Sequence, residues 1–330
     1  MSSPGEDILQ VDHLQKYFPV EKSFLEKLLT KNKHFVRAVD DVSFTVRRGE
    51  IFTLAGESGC GKTTTGKLVL RLASSTAGKI IFDGVDVTAL EGEDLRILRR
   101  KMQMIFQDPY ASFNPRMKIG DAVGHPLVIH GLAQGAEKRE SVLKILERVG
   151  LSPGDKFAEL FPHQMSGGQR QRAAMARSLI LQPEFIVADE PVSMIDVSLR
   201  TAIIDLMVDL QRDFGLTYLF ITHDLAIAKY ISDRIAIMYL GRIVELGNKD
   251  AIFSSPVHPY TKALLAAIPV PNPERQRKPT ELIGDVPSAV NIPSGCRFHT
   301  RCRYCTKTCG EHQPDLVEVA PNHLVACDLA

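Results

Sequence analysis

Tryptophan is missing from the 330 residues, and cysteine is confined: six occur, five of them in the last 35 positions. So sparse a set in the rest of the chain excludes a disulfide-framed scaffold for the body of the protein. Neither sign of charge dominates. The 40 Lys and Arg against 39 Asp and Glu leave a net charge of +1, which excludes a generally basic nucleic-acid binder. Long apolar runs are lacking too, and none approaches the roughly 18 residues needed to cross a bilayer. Glycine and proline, at 23 and 19 residues, are too few for a collagen-like or low-complexity chain. What remains, 44% hydrophobic and 24% charged, suffices for one large or two modest cores and is too apolar for disorder. The opening MSSPGEDILQ has no basic stretch followed by an apolar core, so no signal peptide is read. A cytosolic chain is expected, with any membrane role coming through a partner.

The pattern along the chain is that of an α/β protein. Ile8–Val11 and Ala38–Val46 alternate in part, as half-buried antiparallel strands do, and the charged Glu21–His34 between them reads as a short helix or surface insertion. Ile51–Ala55, Phe185–Ala188 and Tyr218–Ile221 are continuous apolar runs, the mark of parallel strands buried on both faces. The first is followed by a Gly-rich turn and a helical stretch, Lys62–Leu72. The other two end in Asp189-Glu190 and Thr222-His223-Asp224, and polar strand tips of this kind are predicted to share one site. Residues 109–181 read as a helical insertion, and Ile235–Leu240 with Arg242–Leu246, joined around Gly241, as a closing hairpin. Beyond Ser255 prolines punctuate a linker with a short helix, Tyr260–Ile268, leading to the cysteine-rich tail. No internal repeat is found.

Gly56-Glu57-Ser58-Gly59-Cys60-Gly61-Lys62-Thr63, with Thr64 after it, fits G-x-x-x-x-G-K-[ST] between a predicted strand and helix. Glycines there let backbone N–H groups turn toward phosphate oxygens, and the helix start adds partial positive charge. Lys62 is expected on the β- and γ-phosphates of ATP and Thr63 in the shell of Mg²⁺. Asp189, at a strand tip, suits the same Mg²⁺ through water, and Glu190 suits orienting or deprotonating the attacking water. Cys60 reads as a small tolerated residue. In the tail, Cys296, Cys302, Cys309 and Cys327 form a four-thiol set with Cys305 inside it, and thiolates favour Zn²⁺ or iron–sulfur clusters. Arg297, Arg301 and Arg303 are expected either to offset thiolate charge or to form a solvated basic face.

Met165-Ser166-Gly167-Gly168-Gln169-Arg170, about twenty residues before Asp189, closely resembles the L-S-G-G-Q signature of the ATP-binding subunits of ABC transporters. The resemblance covers the whole chain. It implies a P-loop ABC nucleotide-binding domain, in which a RecA-like parallel sheet core, an antiparallel β subdomain and a helical subdomain are joined to a Cys-rich C-terminal extension. The divisions implied are 1–255 for the ATPase, about 108–181 for its helical subdomain, and 256–330 for the proline-rich, metal-binding region. It further implies a head-to-tail dimer in which Ser166, Gly167, Gly168 and Gln169 act on the partner's ATP. Gln107 matches the Q-loop glutamine that senses γ-phosphate and Mg²⁺, Asp196 the D-loop aspartate, and His223 the switch histidine. Phe18 matches the aromatic that stacks on adenine, with Tyr17 as the near alternative.

Gln107–Pro115, Pro162-His163-Gln164 and Pro256–Thr261 resemble the oligopeptide/dipeptide/nickel importer branch, and within it the Glu21–His34 segment resembles the second, F-type ATPase. In that branch the tail can bind a [4Fe–4S] cluster, which would fall on Cys296, Cys302, Cys309 and Cys327, with Cys305 a spectator and Zn²⁺ the alternative. The branch implies two transmembrane permease subunits, a second ABC ATPase subunit in a hetero- or homodimer, an extracytoplasmic substrate-binding protein, and no nucleic acid. It places the chain peripherally at the cytoplasmic face of the cell membrane. Peptides are the expected cargo, followed by nickel and oligosaccharides. The rival classes are a soluble ABC ATPase acting on nucleic acid or ribosomes, and an electron-transfer or iron-sensing module.

Overall fold

Ser43 and Thr45 alternate with buried Val42, Phe44 and Val46, and this period of two gives a half-buried strand. In the computed structural model, which describes residues 6–20, 35–268 and 283–329, that strand belongs to one of two units. The phosphate-loop unit comprises Asp7–Val46, Ile51–Thr88 and Thr222–Ala330, and the signature unit chiefly Arg47–Glu50 and Ala89–Ile221. The insertion Glu21–His34, on which the F-type reading falls, lies outside the described residues, as do four of the linker prolines.

In the phosphate-loop unit, β1 (Asp7–Pro19), β2 (Phe35–Arg47), β4 (Ala77–Phe82) and β5 (Val85–Asp86) form a sheet in the order β2-β1-β4-β5. β1 and β4 run antiparallel with Leu9 opposite Phe82 and Val11 opposite Ile80. The buried strand β3 (Ile51–Ala55) lies parallel to β9 (Arg234–Tyr239), Leu54 opposite Ala236. β9 turns through Leu240 and Gly241, both at positive φ, into β10 (Arg242–Asn248), a two-residue hairpin as expected.

The tail does not stay apart from this sheet. β12 (His323–Val325) pairs antiparallel with β10, Glu245 opposite Val325, and β11 (Val317–Ala320) pairs with β12. The composition shift after Ser255 predicted a linker and a metal-held segment, with no strand in it. β11 is exposed at all four positions, so it carries no alternation to read.

The signature unit contains β6 (Met102–Ile105), β7 (Phe185–Asp189) and β8 (Thr217–Thr222), parallel, with β7 in the middle. Every residue of β7 and β8 is buried, and each large apolar side chain there contributes about 1.5–3 kcal/mol. Between β6 and β7 run the helices Ile119–Ile129, Gly135–Arg148, Gly154–Ala158 and Gly167–Leu179. This is the helical insertion read from the sequence.

Candidate functional site

Strand β3 delivers the chain into the phosphate loop, and helix Lys62–Val69 leaves it. The loop passes so close to other backbone that a Cβ at Gly56 would lie 2.2 Å from the Met238 carbonyl oxygen, and one at Gly61 2.1 Å from that of Ala38. Both glycines also sit at positive φ, 153° and 110°. The Lys62 ammonium, 4% exposed as a residue, donates to the carbonyl oxygens of Gly56 at 2.8 Å and Glu57 at 2.9 Å. No carboxylate pairs with it among the described residues. Gly61 caps the helix without a side-chain bond to its first-turn N–H groups, which favours a bound anion there. Ser58 and Gly59 are exposed, and Thr63 and Thr64 half-buried. Cys60 is buried, and burial pushes its thiol up, as suits an inert small side chain.

The two aromatics expected at adenine differ in their surroundings. Phe18 is 40% exposed with the Lys16 ammonium 5.0 Å from its ring centre. Tyr17 donates its phenol hydrogen to Asp40, and burial together with that bond pushes the phenol up to about 12. Of the two rings, that of Phe18 is the more exposed. His223, just past β8, is exposed, and the following Asp224 accepts from Ala226 and Ile227 N–H to start helix Leu225–Ile231.

In the signature unit Asp189 ends β7 buried, and Glu190 stands in the left-handed region at φ 46°. A non-glycine residue there costs about 1–3 kcal/mol unless its surroundings hold it. Here they do: Glu190 N–H donates to Ile221 O at 2.9 Å, and Glu190 O accepts from both Ser193 N–H and Ser193 Oγ. The carboxylate accepts from Gln107 Nε2 at 3.0 Å, so two residues 83 positions apart in sequence meet as a hydrogen-bonded pair. Asp196 is exposed and starts the helix Val197–Phe214.

Ser166 caps helix Gly167–Leu179 in a reciprocal box. Its Oγ accepts from Gln169 N–H at 3.3 Å, and Gln169 Oε1 accepts from Ser166 N–H at 2.9 Å. Gly167 and Gly168 make the turn between them. Arg170, buried beneath, donates to Pro162 O and stacks 3.4 Å from the Tyr110 ring centre.

The tail corrects one expectation and leaves another unassembled. Arg297 and Arg301 neither face solvent nor pair with thiolates: they are 5% and 6% exposed, bound to Asp40 and Glu57. No sequence signal links positions 257 and 244 apart. All the tail cysteines are free thiols. Burial pushes Cys296 up to about 11, and Cys327, Cys309 and Cys302 are near enough to act in the same direction. The donor chemistry is that of a thiolate-held metal. Yet among the described residues no group of three or more His, Cys, Asp or Glu side chains is arranged to hold an ion.

Comparisons with known proteins identify the family. The model of the family "ABC transporter" matches residues 39–193, and that of "Oligopeptide/dipeptide transporter, C-terminal region" matches 244–309. The oligopeptide transport ATP-binding protein AppF of Bacillus subtilis is 45% identical over 98% of this chain and 98% of its own length. A probable peptide ABC transporter ATP-binding protein of Sinorhizobium fredii is 46% identical over 98% of this chain and 90% of its own. Among solved structures, the cassette MJ0796, a dimer bound to ADP and phosphate after hydrolysis, is 26% identical with a TM-score of 0.63, covering 73% of this chain and 98% of its own. The chain belongs to the ATP-binding subunits of ABC transporters and carries the C-terminal region of their oligopeptide/dipeptide branch.

Proposed function

We propose that this protein hydrolyses ATP to drive import of peptides through a partner permease. The observation that carries the reading is Lys62, a buried ammonium that donates to two loop carbonyls and the Cys60 sulfur and that no carboxylate neutralises among the described residues. A buried cation left without an anion is costly in isolation and suits a polyanionic ligand. Peptide cargo follows from the relatives, named as oligopeptide and peptide ABC transporter ATP-binding proteins at 45–46% identity.

Gly56–Thr64 cradle the triphosphate, Phe18 stacks on adenine, and Thr63, Gln107 and Asp189 hold Mg²⁺. Glu190 takes the proton of the attacking water as its oxygen bonds to the γ-phosphorus and ADP leaves. The Gln107 bond orients that carboxylate, and His223 contacts the γ-phosphate. Ser166 to Gln169 and Asp196 serve the ATP held by a second ATPase subunit, so closure of the dimer moves two permease subunits, which receive cargo from an extracytoplasmic binding protein. No helix among the described residues is long and apolar enough to cross a membrane, which suits a subunit seated peripherally on the cytoplasmic face. The functional division we adopt is 1–255 for the ATPase, with 108–181 as its helical part, and 256–330 for the extension.

The same reading places a [4Fe–4S] cluster on Cys296, Cys302, Cys309 and Cys327, with Zn²⁺ the alternative. What supports it is that the segment matching the oligopeptide/dipeptide C-terminal region, 244–309, takes in Cys296, Cys302 and Cys309. Such a group supplies structural bonds to a segment poor in apolar side chains. Protein prepared without oxygen is expected to contain about four irons per chain. Cys302→Ser should lose them and Cys305→Ser keep them, while stoichiometric zinc would replace the cluster with the alternative. For the ATPase itself, Lys62→Ala should abolish nucleotide binding in equilibrium titrations; wild-type affinity in that variant would overturn the reading.

A further inference from the structure

Glu57, the second residue of the phosphate loop, is held at both its ends by residues beyond position 255. Its N–H donates to the Tyr260 hydroxyl at 2.9 Å. Its carboxylate is gripped by Arg301, Nη1 to Oε2 at 2.8 Å and Nη2 to Oε1 at 3.3 Å. The guanidinium also reaches the Tyr239 hydroxyl at 3.5 Å. Beneath the pair, Tyr239 from β9, Tyr260 from helix Pro259–Ala266 and Phe298 from the tail pack ring to ring at 4.7–5.4 Å, all three fully buried. Four residues before Arg301, Arg297 donates to Asp40 and to Leu240 O, and Asp40 in turn accepts from Tyr17. One short stretch of the Cys-rich tail thus reaches the phosphate loop with one arginine and, with another, Asp40, the carboxylate that holds Tyr17 beside Phe18.

A carboxylate in a loop built for a triphosphate is an electrostatic liability unless something cancels it. We infer that Arg301 is a positioning residue for ATP: it neutralises and fixes Glu57, and through Glu57 sets the loop conformation that receives the phosphates. Two-pronged and part-buried, the contact is of the charge-assisted kind, and Lys could supply the charge without the geometry. The Cys-rich extension is by this account a brace on the nucleotide site as well as an appendage of the sheet. The inference rests on the assignment of Gly56–Thr63 as the ATP phosphate loop.

The test measures dissociation constants for ATP and ADP on the full-length protein with a fluorescent nucleotide, beside melting temperature. Arg301→Ala is expected to weaken ATP by roughly tenfold, since a hydrogen-bonded charge is lost and a carboxylate freed. ADP, with less phosphate charge, should weaken less. Arg301→Lys should fall between, and it serves if the alanine variant does not fold. Glu57→Gln added to Arg301→Ala should restore most of the ATP affinity, because the repelling charge has gone; a merely structural role for Arg301 predicts no such rescue. Equal ATP affinity in wild type and in folded Arg301→Ala and Arg301→Lys would overturn the inference, as would a double variant no better than the single. Lys62→Ala separates the two levels. If it binds ATP normally the loop assignment itself falls, whereas if it loses ATP while the Arg301 variants keep it, only the brace falls.

Discussion

Glu57 in the phosphate loop is held by Tyr260 and Arg301, 203 and 244 positions away, whereas Ser166 in the signature loop is held by Gln169, three positions away. The two loops belong to different units and present the same kind of object, a Gly-rich turn at a helix start. The signature loop carries its own fastening. Ser-x-x-Gln closes a capping box whatever the rest of the chain does, so its shape is a local property. The phosphate loop has no side-chain cap, and its two tightest glycines are tight against Ala38 and Met238, which are remote in sequence. Substitutions near the signature loop should therefore change chemistry or one helix end, and substitutions around the phosphate loop should spread through the unit that surrounds it.

The sharpest separation of chemistry from structure is expected at Glu190. Glu190→Gln keeps the shape and can still bond Gln107, so melting temperature and ATP affinity should hold while turnover falls by about a thousandfold. Residual hydrolysis near the wild-type rate would remove Glu190 as the catalytic carboxylate. Acidification should act on the other unit. His258 is buried, its Nδ1 accepts from Tyr260 N–H, and burial holds its imidazole down at about 3. The unfolded chain protonates near 6.5, so stability is full above that pH and declines as pH falls toward 3. The loss should be about 2 kcal/mol by pH 5, for a slope of one proton. Denaturant titrations of wild type and His258→Gln at pH 7 and 5 measure it, and equal pH dependence in the two would contradict it. Smallest of all, Ser166→Ala should cost about 1 kcal/mol through the lost cap, seen as faster amide exchange confined to the first turn of Gly167–Leu179. Exchange spreading into β7 would erase the distinction between the two loops.

That distinction also explains what could be read from the chain. β3, β7 and β8 announce themselves as unbroken apolar runs, and the closing hairpin by Gly241, because burial on two faces and a tight turn each leave a local signature. The loops around Lys62 and Ser166 were legible for the same reason. For Arg297 and Arg301 sequence proximity offers only the neighbouring cysteines or a solvated basic face, whereas their carboxylate partners are Asp40 and Glu57. The return of β12 to β10 was hidden because three residues are too few to display a period. Gln107 and Glu190 were each singled out, while their hydrogen bond belongs to the fold.

The distance between Glu57 and Arg301 also has a meaning in time. A ribosome that has just added Glu57 must add 244 residues before the guanidinium exists. At about 5–20 residues per second that is a delay of roughly ten to fifty seconds. During that interval β3 and the loop are present without their brace, and the edge of β10 that β12 will cover is bare. Nascent chains stalled before residue 301 should therefore expose a cradle already recognisable in sequence but not yet fixed in shape.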